Sequence, residues 1–280
     1  MWLPWKPAVL MAIVCLVPGI LWRYHRVFRN RVIAAMARET SLVLSLYAIW
    51  QLAGSWSVMQ VTGAESRGRR IVSLQETLHL PSEVSLQKLV LPHPLWVQFS
   101  NGYYAIVHAP ALVIFLIWAF LKNRETYARW RTTMALSTAA CLVIQLIPVA
   151  PPRLLTDLGF VDTAAIYKQS VYSALGRGMA GQLAAMPSVH VAWALIIACG
   201  TWQIANRWWR LTGLTHAIVT TVVVSATANH YWMDGIVAAI LIALAIVLQR
   251  GGRRVRTGLG RPLPWARNGN GPSLNSPLNK

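Results

Sequence analysis

The sequence predicts an all-α fold, a polytopic bundle of about six or seven transmembrane helices. Hydrophobic residues make up 55% of the 280 positions, and charged residues only 12%. Apolar runs recur at the length of about 20 residues that a membrane-spanning helix requires. Basic residues collect between these runs, as they do in the loops of membrane proteins. Together these three observations argue against a soluble protein.

Seven apolar runs are candidate spans, and their ends are set by the charged and Pro-rich segments between them. The first is the weakest, but it lacks a small-residue cleavage site and is therefore interpreted as a helix, not a signal peptide. Whether that first run spans the membrane is left open. The runs cover residues 7–22, 40–60, 102–121, 132–149, 187–205, 211–229 and 233–249.

The net charge of +18 could indicate a nucleic-acid partner, but the distribution of the charge argues against one. With seven helices, 18 of the 26 Lys and Arg residues fall on one face and 8 on the other. The positive-inside rule places the richer face, with the C-terminal tail, in the cytoplasm. The sequence therefore predicts an integral, multi-pass cell membrane protein that binds no nucleic acid.

The chain divides into three parts. Residues 1–39 are predicted to form an N-terminal helix and a basic connector, 40–250 the membrane-embedded core, and 251–280 a disordered basic tail. Within the core, residues 61–101 predict two short helices that are broken at Pro81 and lie at the membrane surface. Glu83 and Gln87 are interpreted there as a solvated helix face.

The three cysteines give no sign of a disulfide or a zinc site. Cys15, Cys141 and Cys199 all fall within apolar runs and are far apart in sequence. They are interpreted as small buried hydrophobic residues.

Two histidines at the ends of apolar helices are the candidate chemical groups. His230 precedes Asp234 by four residues, which on a helix places both side chains on one face. The carboxylate can then orient the imidazole for attack on phosphorus. His190, just after Pro187 at another helix start, can protonate a leaving oxygen.

Two further residues suit a phosphate group. Arg153 offers a planar set of donors, and Ser188 adds a hydroxyl at a helix N-terminus, where free N–H groups favour an anion. The orientation derived from hydropathy and basic residues places Arg153, both histidines and Asp234 at the external ends of their helices. The orientation was derived without reference to these four residues. Their common placement on the external side therefore favours one shared active site. The competing interpretation of Arg153 is an anchor for lipid headgroups.

At these residues the chain resembles the type 2 phosphatidic acid phosphatase and vanadium haloperoxidase superfamily, and most closely its inositol phosphorylceramide synthase-like branch. The resemblance implies a six-helix catalytic core and a reaction through a phosphohistidine, without a metal or any other cofactor. It also implies that His230 is the nucleophile, Asp234 its orienting partner and His190 the general acid, with Arg153 and Ser188 as phosphate ligands. The motifs that carry it are Ala150–Leu154, Ala184–Trp193, Ala228–Asp234 and the segment from Asn101 to His108.

The chain departs from the family pattern at three positions. Leu146 and Val224 stand where the family usually has a lysine and an arginine, and Val189 replaces the usual glycine between the serine and the histidine. Two phosphate-binding cations are therefore missing. Arg177 and Lys168 are the nearest external residues that could replace them.

A second polar group lies at the external end of the third run. Asn101, Tyr104 and His108 have the i, i+3, i+7 spacing of one helix face and are candidate substrate-binding residues. An interfacial aromatic belt, which would also include Tyr103, is an equally good interpretation.

The predicted function is that of a membrane enzyme that cleaves or transfers a phosphate ester of a phospholipid, polyprenyl or sphingolipid type at the extracytoplasmic face. The acceptor in a transfer would be a lipid or polyol hydroxyl. A transporter or proton relay is the alternative, although away from their ends the spans offer only scattered polar side chains, His216 among them. A metal site at His190, His230 and Asp234, or a purely structural cap, are further alternatives. The lipid, the acceptor and the oligomeric state do not follow from the sequence.

Overall fold

A computed structural model describes residues 5–21, 31–56, 62–170 and 182–259. These residues form α-helices and short 3₁₀ turns, with one isolated β-bridge between Val149 and Ala184. The expected all-α class is therefore confirmed for the described part of the chain. The helices are α1 (Trp5–Leu21), α2 (Arg31–Trp56), α3 (Ala64–Thr77), α4 (Glu83–Val90), α5 (Pro94–Ile106), α6 (His108–Lys122), α7 (Arg124–Gln145), α8 (Thr163–Ile166), α9 (Val189–Ile204), α10 (Arg207–Ala226) and α11 (Trp232–Leu259).

Several helices extend beyond the apolar runs that predicted them. Helix α2 begins at Arg31, inside the predicted connector, and α11 continues to Leu259, so that residues 251–259 of the predicted disordered tail are helical. The rest of that tail lies outside the described residues. The third run is not one helix, because α5 and α6 meet at Val107 with a bend of 49°.

Among the described helices, only Trp232–Gly252 is by itself long and apolar enough to cross a membrane, and the bent α5–α6 pair could form a second span. Seven spans were expected. Several of the helices are either too short to span a membrane or carry too many charged residues. Helices α7 and α10 begin in basic segments with two or more arginines, and α9 has 16 residues. The predicted number of transmembrane helices therefore stays a prediction.

The main hydrophobic core lies between α6, α7, α9 and α11. Helix α9 is at its centre and packs against α6, α7, α10 and α11. Aromatic side chains fill the core with their polar atoms satisfied: Trp130 Nε1 donates to Gln203 Oε1 at 3.1 Å, and Trp193 Nε1 donates to Thr138 Oγ1 at 3.2 Å. This core fixes α9 and α11, the two helices whose first turns carry His190 and Asp234.

Helices α3 and α4 pack against the first turn of α11, and here one expectation was wrong. Glu83 and Gln87 do not form a solvated face, since they are only 3% and 1% exposed. Glu83 Oε1 accepts from the backbone N–H of Trp232 at 2.9 Å, and Gln75 Oε1 accepts from that of Met233 at 2.8 Å. Gln75 Nε2 in turn donates to Glu83 Oε1 at 2.8 Å. These two side chains, the Gln75–Glu83 cap, satisfy donors that a helix start leaves open.

Gly68 on α3 permits a close approach between this helix and the start of α11. A Cβ atom at Gly68 would lie 2.7 Å from the hydroxyl of Tyr231 and 3.0 Å from the carbonyl oxygen of Ala150. The Tyr231 hydroxyl donates to that carbonyl at 2.7 Å. The residue next to His230 is therefore held between α3 and the turn that precedes Arg153.

Candidate active site

His230 lies between α10 and α11 and is only 4% exposed. Its Nδ1 is 2.7 Å from the carbonyl oxygen of Ala185 and 3.1 Å from Asp234 Oδ2. A carbonyl oxygen can only accept, so Nδ1 must carry the hydrogen. The neutral ring therefore has its lone pair on Nε2, the tautomer needed for a nucleophile at that atom.

Asp234 is fully buried in the first turn of α11. The expected contact with His230 is present, although His230 itself precedes the helix, which begins at Trp232. Its Oδ2 accepts from the backbone N–H of Tyr231 at 2.9 Å as well as facing His230. Its Oδ1 has no hydrogen-bond partner among the described residues. A carboxylate at a helix N-terminus is favoured by the free N–H groups there, and it stabilises positive charge on the neighbouring imidazole.

His190, in the first turn of α9, faces the lone pair of His230. Its Nδ1 lies 3.2 Å from His230 Nε2, and since that nitrogen has no hydrogen, His190 Nδ1 is the donor. The two histidines, 40 residues apart in sequence, are thus in direct contact. In this arrangement the donor occupies the position from which phosphorus would approach His230 Nε2.

Ser188 caps α9 and joins its start to that of α11. Its side-chain oxygen accepts from the N–H of Val191 at 3.3 Å, and its own N–H donates to the carbonyl oxygen of Asp234 at 3.3 Å. The residue is fully buried. The cap explains why the helix begins where Pro187-Ser188 predicted it and why both helix starts point to one place.

Arg153 is also buried, at 2% exposure, in a 3₁₀ turn that packs against the end of α10. Its backbone N–H donates to the carbonyl of Ala228 at 2.8 Å, and its Nε donates to Asn229 Oδ1 at 3.0 Å. Gln182 Oε1 accepts from the guanidinium at 3.1 Å, and Asp162 lies 3.5 Å away. Such depth does not fit the alternative of an arginine that anchors lipid headgroups.

Burial and this arginine both act on the acidity of His230. Removal of the ring from water lowers the pKa of His230 to about 4, and the positive charge of Arg153 acts in the same direction. The hydrogen bond to Ala185 opposes the shift without reversing it. His230 is therefore neutral at physiological pH and keeps its lone pair.

Two of the three predicted substrate-binding residues lie beside His190. The centroid of the His190 ring is 4.6 Å from that of Tyr104 and 4.7 Å from that of His108. Asn101 is elsewhere: it accepts from Thr163 at 2.9 Å and donates to Gln169 at 3.1 Å. The helical spacing was read correctly, but the bend at Val107 gives the two ends of the group different neighbours.

The proposed replacements for the missing cations do not gain support. Lys168 is exposed, follows α8 with a positive φ of 52°, and forms no ion pair within the described part of the chain. Arg177 lies outside the described residues. Val224, in place of the usual arginine, is 1% exposed and packs with Tyr104 and Val191. Arg153 is thus the cation that the described residues bring to the two histidines.

Several residues that hold the site were missed by the sequence reasoning. The carbonyl of Ala185 fixes the His230 tautomer, Asn229 orients Arg153, and Gln145 Nε2 donates to the carbonyl of Pro187 at 3.0 Å. His216 was assigned no role, yet its Nδ1 is 2.8 Å from the hydroxyl of Tyr103. Backbone carbonyls and amides carry no periodic signal, but a polar Gln145 or His216 inside an apolar run was a sign of a partner.

The alternative of a metal centre finds no support in the described ranges, where no three His, Cys, Asp or Glu side chains are grouped as ligands. What the helices do build is a buried pair of histidines, one of them backed by a carboxylate, beside a buried arginine. These groups are chemically suited to a phosphate ester, since a guanidinium binds phosphate oxygens and an imidazole held by a third group can act as a nucleophile.

Comparison with known proteins assigns the family. The model of the PAP2 superfamily matches residues 69–248, which is more than half of the chain, and the chain belongs to this superfamily. Its members act on phosphate esters, and the chain is accordingly an enzyme of the phosphatase or phosphotransferase kind. Neither the curated proteins nor the solved structures include a match.

Proposed function

We propose that this protein is a membrane-embedded phosphatase or phosphotransferase that acts on a lipid phosphate ester through a phosphohistidine at His230. The observation that carries the proposal is the fixed tautomer of His230. Ala185 and Asp234 both face Nδ1, so that the lone pair of Nε2 is directed at Nδ1 of His190.

The reaction requires His190 to move from the nitrogen of His230 to an oxygen of the substrate. His230 Nε2 forms a bond to phosphorus while the bond to the leaving oxygen breaks, and a protonated His190 gives that oxygen its proton. Arg153 and the free N–H groups at the start of α9 stabilise the charge on the other phosphate oxygens. Asp234 stabilises the cationic phosphohistidine. Water or an alcohol then attacks phosphorus as the bond from phosphorus to His230 Nε2 breaks, and His190 takes up the proton of the attacking hydroxyl.

A lipid substrate is supported by the apolar outer surface of the helices that build the site. Large hydrophobic side chains are exposed on α6 and α11, including Ile114, Leu121, Leu244 and Val247. Exposed apolar area of this extent is typical of a membrane surface. The bundle would place the site within reach of lipid headgroups. Transfer onto a lipid or polyol hydroxyl, as in the inositol phosphorylceramide synthase-like branch, belongs to this proposal together with hydrolysis.

The chemistry can be tested with the purified protein in detergent, with p-nitrophenyl phosphate and phosphatidic acid as substrates. We expect p-nitrophenol release that persists in chelator and is inhibited by vanadate, which mimics the transition state. A radiolabelled substrate should leave an enzyme-bound phosphate that survives alkali and is lost in acid. Activity that disappears in chelator and returns with a divalent ion would replace this proposal with a metal-dependent reaction, and the alternative of a transporter predicts no release at all.

The membrane orientation needs its own experiment. After removal of Cys15, Cys141 and Cys199, a cysteine at the exposed Thr156, near the site, should react with an impermeant thiol reagent in intact cells. A matched cysteine at the exposed Lys122 should react only after lysis. The reverse pattern would place the site in the cytoplasm and exclude a substrate in the outer leaflet.

A further inference from the structure

A carboxylate lies beside the arginine that the proposed reaction uses to bind phosphate. Asp162 Oδ2 is 3.5 Å from Nη1 of Arg153, and Gln182 Oε1 accepts from the same nitrogen at 3.1 Å. The arginine side chain is only 2% exposed, and that of Asp162 is 27% exposed. Charges that are largely removed from water interact strongly, so this carboxylate reduces the positive charge that Arg153 offers to another anion.

The position of Asp162 is fixed by the turn that it begins. Its Oδ1 accepts from the backbone N–H of Ala165 at 2.9 Å and thereby caps α8. The next residue, Thr163, is buried and donates to Asn101 Oδ1 at 2.9 Å. Asn101, expected to bind substrate, thus ties the segment that carries Asp162 to α5. One carboxylate oxygen is used by the cap, and the other is directed at Arg153.

The charge of Asp162 opposes that of a phosphate ligand. A guanidinium binds phosphate through its N–H groups and its positive charge. A phosphate at Arg153 therefore lies near the carboxylate of Asp162, and the two anions repel each other. This repulsion grows with the charge of the ligand. Inorganic phosphate, which hydrolysis releases, is mostly a dianion above neutral pH, whereas a phosphate with two alkyl groups is a monoanion.

We propose that Asp162 is a specificity-determining residue that weakens the binding of dianionic phosphate at Arg153. This inference rests on the proposed function, because it takes Arg153 as the phosphate ligand. Inorganic phosphate dissociates more readily than it would from an arginine without this neighbour. Product release limits the rate of many enzymes, and a phosphate that stayed at Arg153 would keep the next substrate from His230.

The experiment measures competitive inhibition of p-nitrophenyl phosphate turnover by two anions that differ in charge. Purified full-length protein is assayed at mildly alkaline pH, with inorganic phosphate as the dianion and dimethyl phosphate as the monoanion. In Asp162→Asn we expect the inhibition constant to fall about tenfold for the dianion and about threefold for the monoanion, because the repulsion that is removed scales with the ligand charge. Unchanged constants, or weaker binding of both anions, would overturn the inference, since the carboxylate would then only hold Arg153 in place.

Two further variants separate the lost charge from other changes. Asp162→Ser retains a residue that can cap α8 and removes the group that faces Arg153, so it should also strengthen phosphate binding. Tighter binding in Asp162→Asn alone would trace the gain to the new amide donor and overturn the inference.

The matched control is Asp157→Asn, on the preceding 3₁₀ turn, where an exposed carboxylate pairs with the exposed Arg69. Its inhibition constants should equal those of the wild type, and a shift as large as that of Asp162→Asn would show a general effect of surface charge and overturn the inference. Failure of the proposed function has a different sign, namely p-nitrophenol release that is the same in wild type and His230→Ala.

Discussion

The two histidines of the site are held in opposite ways. His230 is fixed by hydrogen bonds: Nδ1 faces Ala185 and Asp234, and the following residues are tied to α3 and α4. His190 is partly exposed. Among the described residues its ring is hydrogen-bonded to His230 alone, and the rings of Tyr104 and His108 pack against it. Hydrogen bonds fix a ring in direction, whereas ring packing leaves it room to turn.

This difference matches what each ring must do in the proposed reaction. A nucleophile is most effective when it is held in line with phosphorus, because orientation is then provided before the substrate binds. The acid must first release the nucleophile and then reach the leaving oxygen, so it has to move. The comparison therefore predicts that changes around His230 act on the whole reaction, and that changes around His190 act on proton transfer alone.

The largest effect is expected for His230→Ala. Loss of the nucleophile should lower kcat by about four orders of magnitude or more, in line with the removal of other nucleophiles. The measurement is p-nitrophenol release together with the trapped phosphoenzyme, which should be absent. His93→Ala is the matched control, and thermal unfolding of both variants checks the fold. A fall of less than tenfold would exclude His230 as the nucleophile.

His190→Ala should give the next largest effect, and one that depends on the substrate. General acid catalysis is worth about 10²–10⁴-fold when the leaving alcohol is a poor leaving group. With p-nitrophenyl phosphate the loss should be much smaller, since p-nitrophenolate departs without a proton. The slope of rate against leaving-group pKa is the measurement. An equal loss across the series would count against the acid role and against the contrast between the two rings.

Asp234→Asn should cost less than removal of His230, and less than removal of His190 when the leaving group is poor. In a catalytic triad the equivalent change costs about 10⁴-fold because the imidazole adopts the wrong tautomer. Here Ala185 also accepts from Nδ1, so the tautomer survives and only the charge stabilisation is lost. We expect kcat to fall by about 10²-fold, with KM little changed. A fall as large as that of His230→Ala would mean that Ala185 does not hold the ring.

The Gln75–Glu83 cap tests whether distant groups fix His230. Gln75→Leu leaves the buried N–H of Met233 without its acceptor, which should destabilise the fold by about 1–3 kcal/mol. The variant should lower kcat several-fold with both good and poor leaving groups, because it acts on the nucleophile. Ser73→Leu, on the exposed side of the same helix, is the control. An effect confined to poor leaving groups would assign the cap to His190 instead.

The smallest effect is expected from moderate acid. The pKa of His230 is lowered to about 4, so the neutral nucleophile persists well below the ordinary imidazole range. On the acid side of its pH profile, kcat/KM should stay constant from pH 7 to about pH 5. It should then fall as the pH drops through about 4, where His230 becomes protonated. In the unfolded chain the imidazole of His230 has its ordinary pKa and binds a proton more readily than in the folded protein. The free energy of unfolding therefore decreases as the pH falls from about 6.5 towards 4. A fall of kcat/KM near pH 6.5 would instead indicate that the imidazole of His230 is exposed to solvent.

Sequence reasoning pointed to residues that the structure brings together because each belongs to a local pattern. Asp234 reaches back from the first turn of α11 to His230 and to the N–H of Tyr231, and Ser188 caps α9; both are contacts between near neighbours along the chain. The two short helices on either side of Pro81 are confirmed for the same reason. Hydropathy likewise indicated the helices of the core, although not their starts in the basic segments.

Only the tertiary structure decided what satisfies these groups. Glu83 had the appearance of a solvated residue, yet it is buried as a cap on a helix that begins 149 positions later. The Ala185 carbonyl sets the tautomer of a histidine 45 residues away, and the bend at Val107 separates Asn101 from His108. Partners at such distances are chosen by packing and by the need to satisfy buried polar atoms, and neither is periodic in the sequence.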